Sequence, residues 1–172
     1  MALLEICKYP DPVLQIKAEP VKEIDASLQK MIEDMIETMY HAPGIGLAAT
    51  QVGKPIRIIV FDITPREEGQ NPSFLINPEI IEAEGEQTLE EGCLSVPEYF
   101  SEVKRKAKVK VRGLDAQGKT VEICGEGILA TVLQHEIDHL DGILFIDRIS
   151  ALKRALYKKR VQKKLKNQSE AP

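Results

Sequence analysis

Lys106-Ala107-Lys108-Val109-Lys110-Val111-Arg112, then Lys119-Thr120-Val121-Glu122-Ile123-Cys124, then the run from Gly127 to Leu140 follow one another and change period between them. In the first, charged Lys108, Lys110 and Arg112 alternate with Ala107, Val109 and Val111, the period of a strand with one dry face. An Asp115-to-Gly118 turn leads into the second, so the pair reads as an antiparallel hairpin with one wet face. In the third, Leu129, Val132, Leu133, Ile137 and Leu140 recur at helical spacing, and Gly142 stands where a C-terminal cap belongs. A hairpin feeding a helix, without strand-helix-strand alternation, predicts an α+β fold. Mainly antiparallel sheets would pack around a central helix carrying His135-Glu136-x-x-His139, with a further helix at the C-terminal end.

Working outward, Asp25 is placed to cap a helix in which Leu28, Met31, Ile32, Met35, Ile36 and Met39 share a face, ending before His41-Ala42-Pro43-Gly44. Ile56 to Phe61 is a β-branched run, read as a buried strand, and Pro65 to Pro72 is a loop. Phe74 to Ile81 is a strand that Pro78 confines to an edge or a bulge. The alternating carboxylates of Glu82 to Glu86 read as a solvated strand or turn, and Glu90 to Pro97 as a short loop. A last helix, Ala151 to Lys166, carries eight basic side chains.

The chain has 172 residues, 43% hydrophobic and 29% charged, an ordinary globular composition. One domain is expected: residues 1–150 as its catalytic body and 151–172 as a basic helix and tail of the same domain. Residues 1–150 hold 15 Lys/Arg against 26 Asp/Glu, a balance of −11, and residues 151–172 hold 8 against 1, a balance of +7. An acidic body argues against sequence-specific nucleic-acid binding, whereas the basic tail suits a polyanion. No apolar run approaches the roughly 20 residues of a membrane span, and the first ten residues lack the pattern of a secretory signal. Cys7, Cys93 and Cys124 are odd in number and far apart, which suits thiols in a reducing compartment. These readings place the protein in the cytoplasm, away from membranes.

Two histidines at i and i+4 project from one helix face, close enough to bind one cation, and Glu136 between them reaches a water on it. A divalent metal lowers the pKa of such a water towards roughly 7, and a neighbouring carboxylate can take its proton and return it to a leaving group. The longer pattern with Gly142 ends at Phe145, where a metzincin has its third histidine, and phenylalanine cannot ligate. The third ligand therefore comes from upstream, with Cys93, His41, Cys7 and Cys124 as candidates. A free cysteine is usually a small buried hydrophobe, the reading favoured for Cys7 and Cys124, and His41 suits a solvated or capping role.

Gly44-Ile45-Gly46-Leu47-Ala48-Ala49-Thr50-Gln51, Glu91-Gly92-Cys93-Leu94-Ser95 and Gln134-His135-Glu136-Ile137-Asp138-His139-Leu140-Asp141-Gly142 resemble, in order and spacing, the three signature motifs of peptide deformylases. The resemblance is to the bacterial form with a C-terminal helix. It implies a metal-dependent hydrolase that removes the formyl group from the initiator methionine of nascent chains, releasing formate. It implies ligation by Cys93, His135 and His139, general acid/base catalysis by Glu136, and oxyanion donation from the Gln51 side chain and the Leu94 backbone N–H. It also implies Fe²⁺ as the natural ion, with Zn²⁺, Ni²⁺ or Co²⁺ as substitutes, although one cysteine and two histidines by themselves point to Zn²⁺. Thr50 departs from the proline that many members carry there.

On that resemblance, Gly46 pairs with the substrate backbone, and the missing side chains of Gly44 and Gly46 let a strand approach. Helical geometry adds Ile128 and Val132 to Ile45 as an apolar methionine pocket. Glu91, singled out by the motif, would be costly beside a thiolate unless paired, and Arg105 is the expected partner. The basic C-terminal helix is a candidate ribosome tether whose removal, over residues 151–172, should spare turnover of a short peptide. Two rivals remain: an His-Glu-x-x-His metallopeptidase cutting ordinary peptide bonds, and a ribosome- or RNA-binding module without activity. Gly44-x-Gly46-x-x-Ala49 is a poor dinucleotide fingerprint, because a helix precedes it and a strand follows.

Overall fold

In the computed structural model, which describes residues 2–170, the central helix α2 (Gly127–Leu140) is buried at every position from Ala130 to Leu140. A helix so enclosed needs neighbours on all sides. They are an antiparallel five-stranded sheet in the order β1-β2-β3-β6-β7 and a two-stranded hairpin, β4-β5. The strands are β1 (Gly46–Ala48), β2 (Ile58–Phe61), β3 (Ser73–Glu84), β4 (Gln87–Cys93), β5 (Val96–Arg105), β6 (Lys108–Leu114) and β7 (Thr120–Glu126). The α+β architecture is as expected, with α1 at Ala26–His41 and α3 at Ala151–Glu170.

Strand alternation explains the layers. From β2, Ile59 and Phe61 join Leu75, Val109 and Val111 against α2, while Ile58 and Val60 join Ile76 against Ile32, Met35 and Met39 of α1. The sheet is thus buried on both faces at β2, as its unbroken apolar run requires. The Asp25 side chain accepts from the Leu28 N–H at 2.8 Å, a cap contributing about 1 kcal/mol. Gly142 follows α2 at φ 76°, with the Gln15 backbone packed where a Cβ would stand, so this end admits only glycine.

Several expectations need correction. Residues 90–97 are not a loop: β4 and β5 run through most of that segment and turn at Leu94-Ser95. Two strands were hidden there because charged Glu91 faces inward, breaking the apolar alternation. Pro78 does mark a bulge, since the β3–β6 register shifts between Ile76 and Glu79, but β3 is an interior strand. Cys124 is exposed and Cys7 partly so, neither being a buried hydrophobe. Glu82, Glu84 and Glu86 are exposed, with Glu82 and Glu86 paired to Lys110 and Lys104.

The basic helix α3 is anchored in the body. Tyr157 is buried with Val96, Val103, Phe145 and Ile146 in a third apolar cluster, and its ring lies 4.6 Å from that of Tyr99. Residues 171 and 172 of the expected tail lie outside the described residues. No described helix is long and apolar enough to cross a membrane.

Candidate metal centre

Helix α2 presents His135 and His139 one turn apart, and the end of β4 delivers Cys93 to them. Cys93 Sγ lies 3.3 Å from His139 Nε2, which lies 3.3 Å from His135 Nε2. The three ligand atoms all fall within 4.8 Å of one another. A tetrahedral centre with bonds of about 2.0–2.3 Å separates its ligands by roughly 3.3–3.8 Å, so these donors fit a single cation. Of the four upstream candidates, Cys93 is the one brought to the histidines; His41 is exposed at the last position of α1, and Cys7 and Cys124 are not in the cluster.

A ring of charge sets the ligands. Glu91 Oε1 accepts from His135 Nδ1 at 2.8 Å, which fixes the tautomer and turns the Nε2 lone pair towards the cluster. Arg105 is the partner of Glu91, donating to both its oxygens from Nε (2.5 Å) and Nη2 (2.9 Å). Arg105 Nη1 also donates to Asp138, which in turn accepts two bonds from Arg148. Asp138 and Arg148 were missed by sequence reasoning, because nothing in their spacing distinguishes them from surface charges. Burial pushes the Glu91 carboxyl up, but hydrogen bonds from His135 and Arg105 outweigh it and hold it below the ordinary range.

Burial and the neighbouring His135 and Arg105 charges hold His139 well below its ordinary value, a neutral imidazole with a free lone pair. Burial also lowers His135, but Glu136, Cys93 and Glu91 outweigh it and raise it well above the ordinary value. Of the two imidazoles, His135 is thus the one whose charged form its neighbours favour, and His139 is the neutral one. Glu136 is pushed up to about 7, chiefly by burial, and its Oε1 is buried without a hydrogen-bond partner among the described residues. An orphaned carboxylate oxygen beside three convergent ligand atoms is what a metal-dependent hydrolase requires of its proton carrier.

One cavity of about 1100 Å³ opens onto these groups, and Ile45, Gly46, Gln51, Glu91, Leu94 and Ile128 line it with Val132, Cys93, His135 and Glu136. Ile45 and Ile128 are exposed while Val132 is buried, and the last two stand on the metal helix itself. Glu91 lines the cavity with both carboxylate oxygens engaged by the protein. A Cβ on Gly46 would collide with the Glu136 carboxylate, and one on Gly44 would meet the Leu94 side chain at 2.8 Å. The missing side chains make room for the Glu136 carboxylate and for the Leu94 side chain. Thr50 Oγ1 donates to the His139 carbonyl at 3.2 Å, a bond that proline in its place could not make.

A sequence profile of the family described as polypeptide deformylase matches residues 3–155. This chain belongs to that family. It is 57% identical over 166 residues to the peptide deformylase of Syntrophobacter fumaroxidans, covering 96% of this chain and 98% of the relative. To that of Thermodesulfovibrio yellowstonii it is 59% identical over 164 residues, covering 95% and 99%. The crystal structure of a peptide deformylase from Legionella pneumophila superposes with a TM-score of 0.89 at 46% identity, covering 99% of this chain and all of that one. A deformylase from Ehrlichia chaffeensis solved in complex with actinonin gives 0.89 at 41% identity, covering 95% and 98%. Peptide deformylases are metal-dependent hydrolases that remove the N-formyl group from the initiator methionine, and this chain has that activity.

Proposed function

We propose that residues 1–150 form one catalytic domain in which Cys93, His135 and His139 hold a single divalent ion and Glu136 carries the proton of the deformylase reaction. The observation that carries this is the convergence of those three ligand atoms within 4.8 Å, next to a buried carboxylate whose Oε1 has no partner among the described residues. When bound, the ion supplies Lewis acidity, making a water nucleophilic near neutral pH and polarising the formyl oxygen. Glu136, with a pKa of about 7, is poised both to accept a proton and to give it back.

The chain's own groups then act in sequence. Glu136 takes a proton from the attacking water as its oxygen bonds to the formyl carbon. The formyl oxygen gains the electron pair of its carbonyl π bond, and the Gln51 side-chain amide and the Leu94 backbone N–H donate to that new charge. Donors aimed where charge develops stabilise the transition state more than the substrate. The oxyanion pair re-forms the carbonyl as the C–N bond breaks and Glu136 delivers its proton to the methionine nitrogen, leaving a free amine and formic acid, which ionises to formate by giving its proton to the amine or to water. Ile45, Ile128 and Val132 take the methionine side chain, and Gly46 offers its backbone to the extended peptide beside Glu91.

Fe²⁺ is the ion assigned for the cell, with Zn²⁺, Ni²⁺ and Co²⁺ as replacements. The mixed thiolate and imidazole set suits these soft and borderline metals. The cytoplasm is its assigned place, beside ribosomes whose emerging N-formylmethionyl chains it processes. The eight basic residues of 151–172 support tethering to ribosomal RNA, with affinity falling as salt rises. The deciding experiment measures formate release from a short N-formylmethionyl peptide by anaerobically purified protein of known metal content. Loss of release in Glu136→Ala with metal retained is expected. Cleavage of an unformylated control peptide would instead support a general metallopeptidase.

A further inference from the structure

Among the buried polar groups around the cavity, Ser95 has no part in the mechanism above. It is fully buried between β4 and β5, where a hydroxyl is costly unless it finds a partner. Its partner is the Gln51 side chain, whose Nε2 donates to Ser95 Oγ at 3.0 Å. The Gln51 Oε1 accepts from the Ala48 N–H at 2.9 Å, and a backbone N–H can only donate, so the two ends of the amide are unambiguous. Ala48 therefore holds the oxygen and Ser95 holds one of the two N–H bonds. The other N–H donates to Cys93 Sγ over a long 3.6 Å, so it faces the metal-ligand cluster.

The backbones of both residues are tied down independently of this bond. The N–H of Cys7 donates to the Gln51 carbonyl at 2.6 Å, and two residues on, the N–H of Tyr9 donates to the Ser95 carbonyl at 2.8 Å. The Ser95 N–H also faces Cys93 Sγ at 3.4 Å. With both main chains fixed, the remaining freedom lies in the plane of the Gln51 amide, which the Ala48 N–H holds at its oxygen and the Ser95 hydroxyl holds, by the shorter of two contacts, at its nitrogen. We propose that Ser95 is a positioning residue for the reaction: it occupies one Gln51 N–H so that the other is aimed at the developing oxyanion. Resting on Gln51 as that donor, this adds the group that sets its direction.

The test is a double-mutant cycle of Ser95→Ala and Gln51→Ala, with kcat and KM for formate release, metal content and thermal midpoint measured for each variant. Removing one oxyanion donor costs roughly 10²–10³ in kcat, which bounds Gln51→Ala. Ser95→Ala is expected to lower kcat by about tenfold or more within that bound, with KM within about threefold and metal content unchanged. In the Gln51→Ala background the same substitution should cost nothing further, because its target is gone. A merely structural serine would lower kcat equally in both backgrounds, and that result overturns the proposal. So does wild-type kcat in Ser95→Ala when Gln51→Ala is impaired. Full kcat in Gln51→Ala itself would instead overturn the assignment of Gln51. If Ser95→Ala does not fold, Ser95→Cys, of similar size and a poorer acceptor, replaces it in the same cycle. Undiminished kcat there overturns the proposal, and a loss confined to the Gln51 background supports it.

Discussion

Replacing Arg105 by methionine tests whether the buried charge ring holds the metal site. The Arg105 side chain is 3% exposed and that of Glu91 is 4%, so neither charge has water to fall back on. Arg105 supplies two of the three charged hydrogen bonds that Glu91 accepts, the third coming from His135. Asp138 loses one bond but keeps two from Arg148. The cost therefore falls on Glu91. Leaving one member of a buried pair uncompensated costs about 3–5 kcal/mol. The lower end applies here, since His135 still pairs with Glu91. For a chain of this length about 3 kcal/mol lowers the thermal midpoint by roughly 6–12 °C. Because Glu91 sets the orientation of His135, metal affinity should fall about 10–100-fold as well. Urea unfolding of the metal-loaded protein reads the first effect, and competition with a chromophoric chelator reads the second. Glu91→Leu combined with Arg105→Met should be milder than Arg105→Met alone, because it buries no orphan charge. A loss under about 1 kcal/mol with affinity inside twofold of wild type would refute the reasoning.

Three further outcomes follow from the same geometry. Glu136 binds its proton more tightly folded, at a pKa of about 7, than at its ordinary 4.5, so the metal-free protein loses stability as pH rises through that window. The loss is up to about 3 kcal/mol, and Glu136→Gln should abolish that part of the pH dependence in urea midpoints taken from pH 4 to 8; parallel curves for the two proteins would sink the argument. Gly46→Ala places a methyl group against the Glu136 carboxylate and should cut kcat by about 10² through its displacement while metal remains bound; a change below twofold would show that the carboxylate has room to move. Removing residues 151–172 takes the buried Tyr157 out of its cluster and should cost about 3–5 kcal/mol, whereas removing 163–172 should spare stability and weaken salt-sensitive ribosome binding, as read by thermal melts and sedimentation with ribosomes.

The chemistry was legible in the sequence to the extent that it is local. Helical period fixes the distance between residues four apart, so the two histidines and the glutamate of α2 could be placed on one structure without any knowledge of the rest. The change from period two to period 3.6 likewise revealed the hairpin and the helix after it, and the caps at Asp25 and Gly142 fell where short-range chemistry puts them. The resemblance of three ordered motifs brought Cys93 to the histidines, something spacing alone left open among four candidates.

What depends on long-range packing stayed hidden. Glu91 belongs to a strand with its charge turned inward, so the alternation that announces β4 is broken at the position where the site needs a carboxylate. The bond from Gln51 to Ser95 joins residues 44 apart, and the ion pair from Arg148 to Asp138 joins the connection before α3 to the metal helix. The missing side chain at Gly46 also makes room for the Glu136 carboxylate, 90 residues away in sequence. By itself the sequence determined which donors exist and which elements carry them, because period and capping act within a few residues. Only the tertiary structure decided how Asp138 and Arg148 extend the Glu91–Arg105 pair, where each Gln51 amide N–H points and which missing side chain makes room for which group, because those depend on surfaces that come together when the sheet closes on α2.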